Sequence, residues 1–223
     1  MSKKLQQKQA RRLAEERRKN ELRRAARRRN LLTIGIAGLV LVAIAALVVS
    51  ERSAENAPVG VSESEARCSA VSEFEATSRE HIPEGSQHDP YNSSPPTNGP
   101  HYANPAQTGF YSSALAPEQL VHNLEHGQIV IWYAPDAPDT VKEDIEQIVS
   151  DQPIATAASP YEGELDGNLA LTAWLAAENE GDESENGTGV MQTCDQVSQA
   201  VVNEFRRNFQ GRSPEPQAPR FTG

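Results

Sequence analysis

The chain has 223 residues, with 21 Lys and Arg against 31 Asp and Glu, and its formal net charge is −10 at pH 7. Residues 1–30 carry 13 basic and three acidic side chains, which leaves 8 basic and 28 acidic side chains in the remainder. This asymmetry indicates that the two segments meet different environments. The chain shows no internal repeat.

A transmembrane helix is predicted at residues 31–49, because these 19 residues contain no charged side chain. A helix of that length spans about 28 Å, close to the roughly 30 Å of a bilayer core. A buried core helix would show a polar face, and a cleaved signal peptide would be followed by a small-residue cleavage site. We therefore expect an uncleaved single-pass anchor.

The basic arm at residues 1–30 sets the predicted orientation, because Lys and Arg beside a membrane helix stay in the cytoplasm. Contact with anionic lipid is preferred to nucleic-acid binding as the role of this arm, and we predict no nucleic-acid partner. The predicted location is the cell membrane, with residues 1–49 contacting lipid. A linker at residues 50–66 would lead into an extracytoplasmic part.

Residues 67–80 are predicted to form one short helix that ends near His81. Pro and Gly then recur from residue 81 to residue 110 so closely that regular helix cannot persist. Aromatic residues lie among them. A long ordered loop of this kind usually carries function.

A helix at residues 117–126 and a strand at residues 129–133 form the central unit of the sequence. Pro117 suits the first turn of a helix, and Gly127 suits the left-handed residue that ends one. His122 and His126 are four positions apart and therefore share one helix face. Residues 129–133 are β-branched or aromatic without alternation, which predicts a buried strand.

The later elements complete one small extracytoplasmic domain at residues 67–211, of the α/β or α+β class. A helix at residues 140–149, capped by Asp139, would bury Val141, Ile145, Ile148 and Val149. The other predicted elements are short strand pieces at 153–157, a strand at 169–175, a mobile acidic loop at 178–189, a helix at 194–209 and a flexible tail at 212–223.

Cys68 and Cys194 are the two cysteines of the chain. An even pair in an oxidising compartment favours a disulfide, and closing so long a loop would stabilise the fold by roughly 4–5 kcal/mol. The alternative is that a thiolate serves as a metal ligand. We favour the disulfide on compartment grounds.

All five histidines lie within one 46-residue window. His101, His122 and His126 are the candidate imidazole ligands of a metal ion, with Met191 and Cys194 as softer candidates. Imidazole with thioether suits copper, and imidazole with carboxylate suits zinc. His81 and His88 are weaker candidates because they lie in loop. The leading hypothesis is a metal-binding extracytoplasmic domain that takes copper or zinc.

Three other functions remain open. A non-catalytic binding or structural module of the cell envelope would use the histidines to hold the Pro-rich loop. A zinc hydrolase would use the HxxEH pattern of residues 122–126, with Glu125 as base. A cysteine nucleophile at Cys194 is disfavoured by the expected disulfide. Enzymatic activity is uncertain, and its absence is favoured.

Three runs resemble a known family: PPTNGPHY at residues 95–102, VHNLEHG at 121–127 and ALTAW at 170–174. They resemble the prokaryotic domain of unknown function 3105, over roughly residues 67–215. Asn98 stands where serine is expected. The resemblance implies a membrane-anchored protein with one extracytoplasmic domain, and it supplies no established reaction.

Overall fold

The computed structural model describes residues 17–19, 21, 23–24, 41–42, 44, 58–151, 155–177 and 186–222. The chain divides into two compact units, Met1–Ala57 and Pro58–Gly223. Within the described residues, no helix combines the length and apolarity that crossing a membrane requires. The predicted span at residues 31–49 lies outside them except for residues 41, 42 and 44, so the anchor stays a prediction.

The second unit is a mixed α/β fold, in agreement with the predicted class. Its elements in chain order are α1 (Glu63–Ala66), β1 (Ser72–Glu75), β2 (His81–Ile82), β3 (His101–Tyr102), β4 (Gly109–Phe110), α2 (Pro117–Glu125), β5 (Ile129–Tyr133), α3 (Asp139–Asp151), β6 (Thr156–Pro160), β7 (Leu169–Leu175), β8 (Thr188–Cys194) and α4 (Gln199–Phe209).

A six-stranded sheet in the order β1-β8-β7-β5-β6-β4 forms the framework of this unit. β6 pairs in parallel with β4 and with β5, and the other neighbours are antiparallel. β2 and β3 form a separate parallel pair that sets His81 beside His101.

Alternate residues of β5 face two apolar clusters, which explains why its sequence shows no polar alternation. Ile129, Ile131 and Tyr133 join the cluster that includes residues of α3 and α4. Val130 and Trp132 join the cluster to which α2 contributes Leu120, Val121 and Leu124. This second cluster fixes α2 against the sheet and so determines where its histidines lie.

Several predicted elements agree with the structure. β5 and β7 have the predicted bounds, and α2 covers residues 117–125 with Gly127 in the left-handed region at φ +83°. α3 buries the four apolar residues assigned to it, although Asp139 is its first residue rather than a cap before it. The strand expected near residues 153–157 is β6, at residues 156–160.

Two predicted helices are wrong in part. Residues 67–80 contain β1 rather than a helix, because this segment pairs with β8. The helix assigned to 194–209 begins at Gln199, since Thr188–Cys194 is a strand paired with both β1 and β7. A short helix, α1, lies in the predicted linker. Of the mobile acidic loop predicted at residues 178–189, residues 178–185 lie outside the described residues, and residues 188–189 belong to β8 instead.

Cys68 and Cys194 form a disulfide with a Cα–Cα distance of 4.0 Å. Both cysteines of the sequence are therefore used, and neither offers a thiolate for metal binding or nucleophilic attack. The predictions that Cys194 could serve as a soft metal ligand or as a nucleophile are therefore wrong.

The segment at residues 211–218, which we call the strap, begins at the last residue of the predicted domain and continues into the predicted tail. Its backbone N–H groups donate to the end of α2: Gly211 to Gly127 at 2.9 Å, Glu215 to Glu125 at 3.1 Å, and Gln217 and Ala218 to His126 at 3.0 and 2.9 Å. A helix leaves its last carbonyl groups without partners inside the helix, and here the strap supplies partners.

Candidate metal centre

Three imidazoles from three elements meet at one place. His81 comes from β2, His101 from β3 and His122 from α2. Each contributes one ring nitrogen, and these three nitrogens all lie within 4.8 Å of one another. His101 and His122 are buried, whereas the His81 side chain is 49 % exposed. Two of the three histidines are therefore held in the interior, and the third, His81, is open to solvent.

The three imidazole rings pack against one another. The rings of His81 and His122 are stacked, with centroids 5.0 Å apart and planes 2° from parallel. The ring of His101 stands edge-on to both, at 4.8 Å from His81 and 5.1 Å from His122. Trp174 of β7 packs edge-on against His101 at 5.9 Å, which places the sheet directly behind the cluster.

Backbone carbonyls fix the Nδ1 atoms of three histidines. Nδ1 of His101 donates to Gly99 at 2.9 Å, Nδ1 of His122 to Tyr102 at 2.6 Å and Nδ1 of His126 to Glu215 at 3.0 Å. A carbonyl oxygen only accepts, so Nδ1 carries the hydrogen in each case. Metal-binding histidines commonly show this arrangement, which directs Nε2 towards the ion.

Glu125, the last residue of α2, is 1 % exposed and lies at the edge of the cluster. It accepts from Nε of Arg79 at 3.0 Å and from Nε2 of His101 at 2.9 Å, and lies 3.6 Å from Nε2 of His81. Burial alone would raise the pKa of Glu125, but the hydrogen bonds and charges of His101 and Arg79 outweigh it and hold that pKa at about 2. The carboxylate is therefore ionised.

His122 is favoured in its neutral form. Burial lowers its pKa, the hydrogen bond to Tyr102 opposes this, and the charges of the neighbouring histidines lower the pKa further. Neutral imidazole is the form that binds metal ions.

Of the remaining candidates, His126 adjoins the cluster, whereas Met191 and His88 lie elsewhere. Nε2 of His126 is 2.7 Å from Nε2 of His122. Met191 lies in β8 and packs, half-buried, against the apolar cluster around Trp132 and Trp174. His88 lies 3.3 Å from Glu118 and belongs to another part of the surface.

Sequence reasoning underrated His81 and did not identify Arg79. His81 reaches the cluster through β2–β3 pairing, and two-residue strands have no periodicity that a sequence reveals. The crowding of five histidines into one window was the only signal for it.

The geometry weakens the hydrolase hypothesis. A general base works best with a pKa near the operating pH, whereas the pKa of Glu125 is about 2. Its two oxygens are also engaged by Arg79 and His101.

Residues 81–221 match the family model described as Protein of unknown function (DUF3105), and the chain belongs to this family. The resemblance stated from the three sequence runs is thereby confirmed. The matched region begins at His81 and contains all five histidines and the strap. No curated protein and no solved structure matches the chain.

Proposed function

We propose that the second unit binds one transition-metal ion, copper or zinc, through His81, His101 and His122. The observation that carries this proposal is the convergence of three ring nitrogens, from three elements, within 4.8 Å of one another. Imidazole is a ligand that suits both metals.

The cluster must contract to close on an ion. Metal–nitrogen bonds of about 2.0–2.1 Å place two ligand nitrogens of a tetrahedral ion about 3.3 Å apart. The ring nitrogens lie up to 4.8 Å from one another, so the widest pair must approach by about 1.5 Å. His81, exposed on a two-residue strand, is the side chain with room to move.

An ion at this position would take the place of a proton. With Glu125 ionised, Nε2 of His101 donates to its carboxylate. Binding through this nitrogen displaces that proton and leaves the carboxylate beside the ion, where its negative charge favours a cation. Arg79 keeps the carboxylate in place.

A second candidate is the envelope binding or structural module. It is favoured by the hydrogen bonds of His101, which already join Glu125 of α2 to Gly99 of the Pro-rich segment. In this case the histidines hold the loop and no ion binds in stoichiometric amount.

We also propose that residues 31–49 anchor the chain in the cell membrane. Residues 1–30 would contact lipid on the cytoplasmic side, and the second unit would lie outside. The supporting observations are the uncharged run and its basic flank. Protease added to intact cells should remove the second unit and spare residues 1–30; protection of both would contradict this orientation.

Metal analysis of the full chain, purified without a histidine tag, tests the metal proposal. Zn²⁺ and Cu²⁺ are added separately, excess ion is removed, and bound metal is measured by mass spectrometry and titration calorimetry. One equivalent is expected in the wild type and in His88→Ala, and its loss is expected in His101→Ala and His122→Ala. Circular dichroism checks that each variant is folded. No stoichiometric ion in the folded wild type would refute the proposal and leave the structural module.

A further inference from the structure

We infer that His126 is a fourth nitrogen ligand of this centre and that the strap, residues 211–218, is the element that positions it. This inference rests on the proposed function. It assigns a role to two features that the three-histidine cluster does not use: the close approach of His126 to His122, and the packing of the strap on the end of α2.

The Nε2 atoms of His122 and His126 face each other. His122 and His126 both donate from Nδ1 to backbone carbonyls, to Tyr102 and to Glu215. The lone pair of each imidazole is then on Nε2, and the two Nε2 atoms lie 2.7 Å apart. Two lone pairs this close repel each other unless a cation lies between them, either a shared proton or a metal ion.

A metal ion satisfies this arrangement with a small adjustment. Two nitrogens on one tetrahedral ion, with bonds of about 2.0–2.1 Å, lie about 3.3 Å apart. The two Nε2 atoms would have to move apart by about 0.6 Å. His126 is half-exposed, so its ring has room to shift outwards by this distance. Because Nδ1 of His122 is engaged by Tyr102, His122 would bind an ion through Nε2, which is the nitrogen that His126 faces.

The second observation is that the strap holds both the backbone and the ring of His126. Gln217 and Ala218 donate to its carbonyl group, and Glu215 accepts from its ring. The approach is close: a Cβ atom on Gly127 would lie 2.9 Å from Cα of Gly211. The side chain of Gln217 lies 3.4 Å from Nε2 of His126, at the rim of the cluster.

The resulting donor set defines the ion. It consists of imidazoles that are all neutral once the proton on Nε2 of His101 is displaced. Both cysteines are in a disulfide, and Arg79 holds the nearby carboxylate. Such a set suits Cu²⁺ and Zn²⁺, whereas Cu⁺ prefers thiolate and thioether ligands and Mg²⁺ prefers oxygen. The centre is therefore selective for a divalent ion of borderline softness.

The test compares four forms of the full chain: wild type, His126→Ala, a chain ending at Ser213 and a chain ending at Ala218. The last two form a matched pair, because only the longer one keeps residues 214–218 of the strap, which contact His126. Affinity for Zn²⁺ is measured by competition with a chelator, and the nitrogen nuclei coupled to Cu²⁺ are counted by electron paramagnetic resonance. Circular dichroism confirms folding, and His126→Ala keeps the test decisive if the shorter chain unfolds.

We expect four coupled nitrogens in the wild type and three in His126→Ala. The affinity of His126→Ala for Zn²⁺ should be about tenfold to a hundredfold lower than that of the wild type. The chain ending at Ser213 should lose affinity on the same scale, and the chain ending at Ala218 should retain it. A wild type that binds one ion while His126→Ala keeps its affinity and spectrum would overturn this inference and leave the three-histidine site intact. A wild type that binds no ion would overturn both.

Discussion

Arg79 donates from Nε to Oε1 of Glu125 across 3.0 Å, joining residues 46 positions apart. Its Nη2 atom also reaches Glu215 at 2.6 Å. One guanidinium thus connects the segment before β2, the end of α2 and the strap. The buried Glu125 carboxylate lies at the centre of this connection.

Glu125→Gln is expected to destabilise the metal-free fold by about 3 kcal/mol at neutral pH. The pKa of Glu125 is about 2 in the folded chain against an ordinary value of 4.5, and each unit corresponds to about 1.4 kcal/mol. Because the folded pKa is depressed, this stabilisation is complete above about pH 4.5 and is lost as the pH falls towards 2. Urea unfolding at several pH values, with chelator present, measures it.

The matched control for that experiment is Glu80→Gln, which alters an exposed carboxylate in the same segment. Its effect should stay within about 0.5 kcal/mol. If the two variants lost equal stability, or if the difference between wild type and Glu125→Gln did not shrink on acidification, the buried charge network would not stabilise the fold.

His81→Ala should weaken metal binding without a large effect on folding. The side chain is exposed, so its removal should change stability by no more than about 0.5 kcal/mol. Its nitrogen belongs to the cluster, and the affinity for Zn²⁺ should fall at least tenfold. Calorimetric titration and thermal unfolding, run in parallel with His88→Ala, separate the two effects; equal affinities in both variants would remove His81 from the site.

Replacing both cysteines by serine should lower the free energy of unfolding by up to about 5 kcal/mol. The disulfide joins residues 126 positions apart, and in the chain-entropy model its value grows with loop length. Metal stoichiometry of the folded fraction should not change, because the ligands are imidazoles. Loss of the ion from a variant that still shows native circular dichroism would indicate a role for sulfur.

Asn98→Ala is expected to cost about 1–3 kcal/mol of stability. The side chain is fully buried, accepts from the backbone of Thr77 at 3.0 Å and donates to Thr97 at 2.9 Å. Removal leaves these groups without their partner. Denaturant unfolding checks the value, with the exposed Asn208→Ala as control, and an equal effect of both would show that the contacts of Asn98 contribute little.

The elements that could be predicted from the sequence are those whose own residues carry the signal. β5 and β7 are continuous apolar runs, and α3 shows its buried face at helical spacing. β8 was missed because its run, TGVMQTC, is half polar and gains strand structure from pairing on both sides. The site was found in part: the spacing of His122 and His126 marks one helix face, whereas His81 arrives through a two-residue pairing.

The partner of the His126 ring lies 89 residues further along the chain. A ribosome adds roughly 5–20 residues per second, so on the order of 5–20 seconds pass between the synthesis of His126 and that of Glu215. During this interval the end of α2 lacks the backbone donors of the strap. The surroundings of His126 are therefore completed late in biosynthesis, after every histidine of the chain has been made.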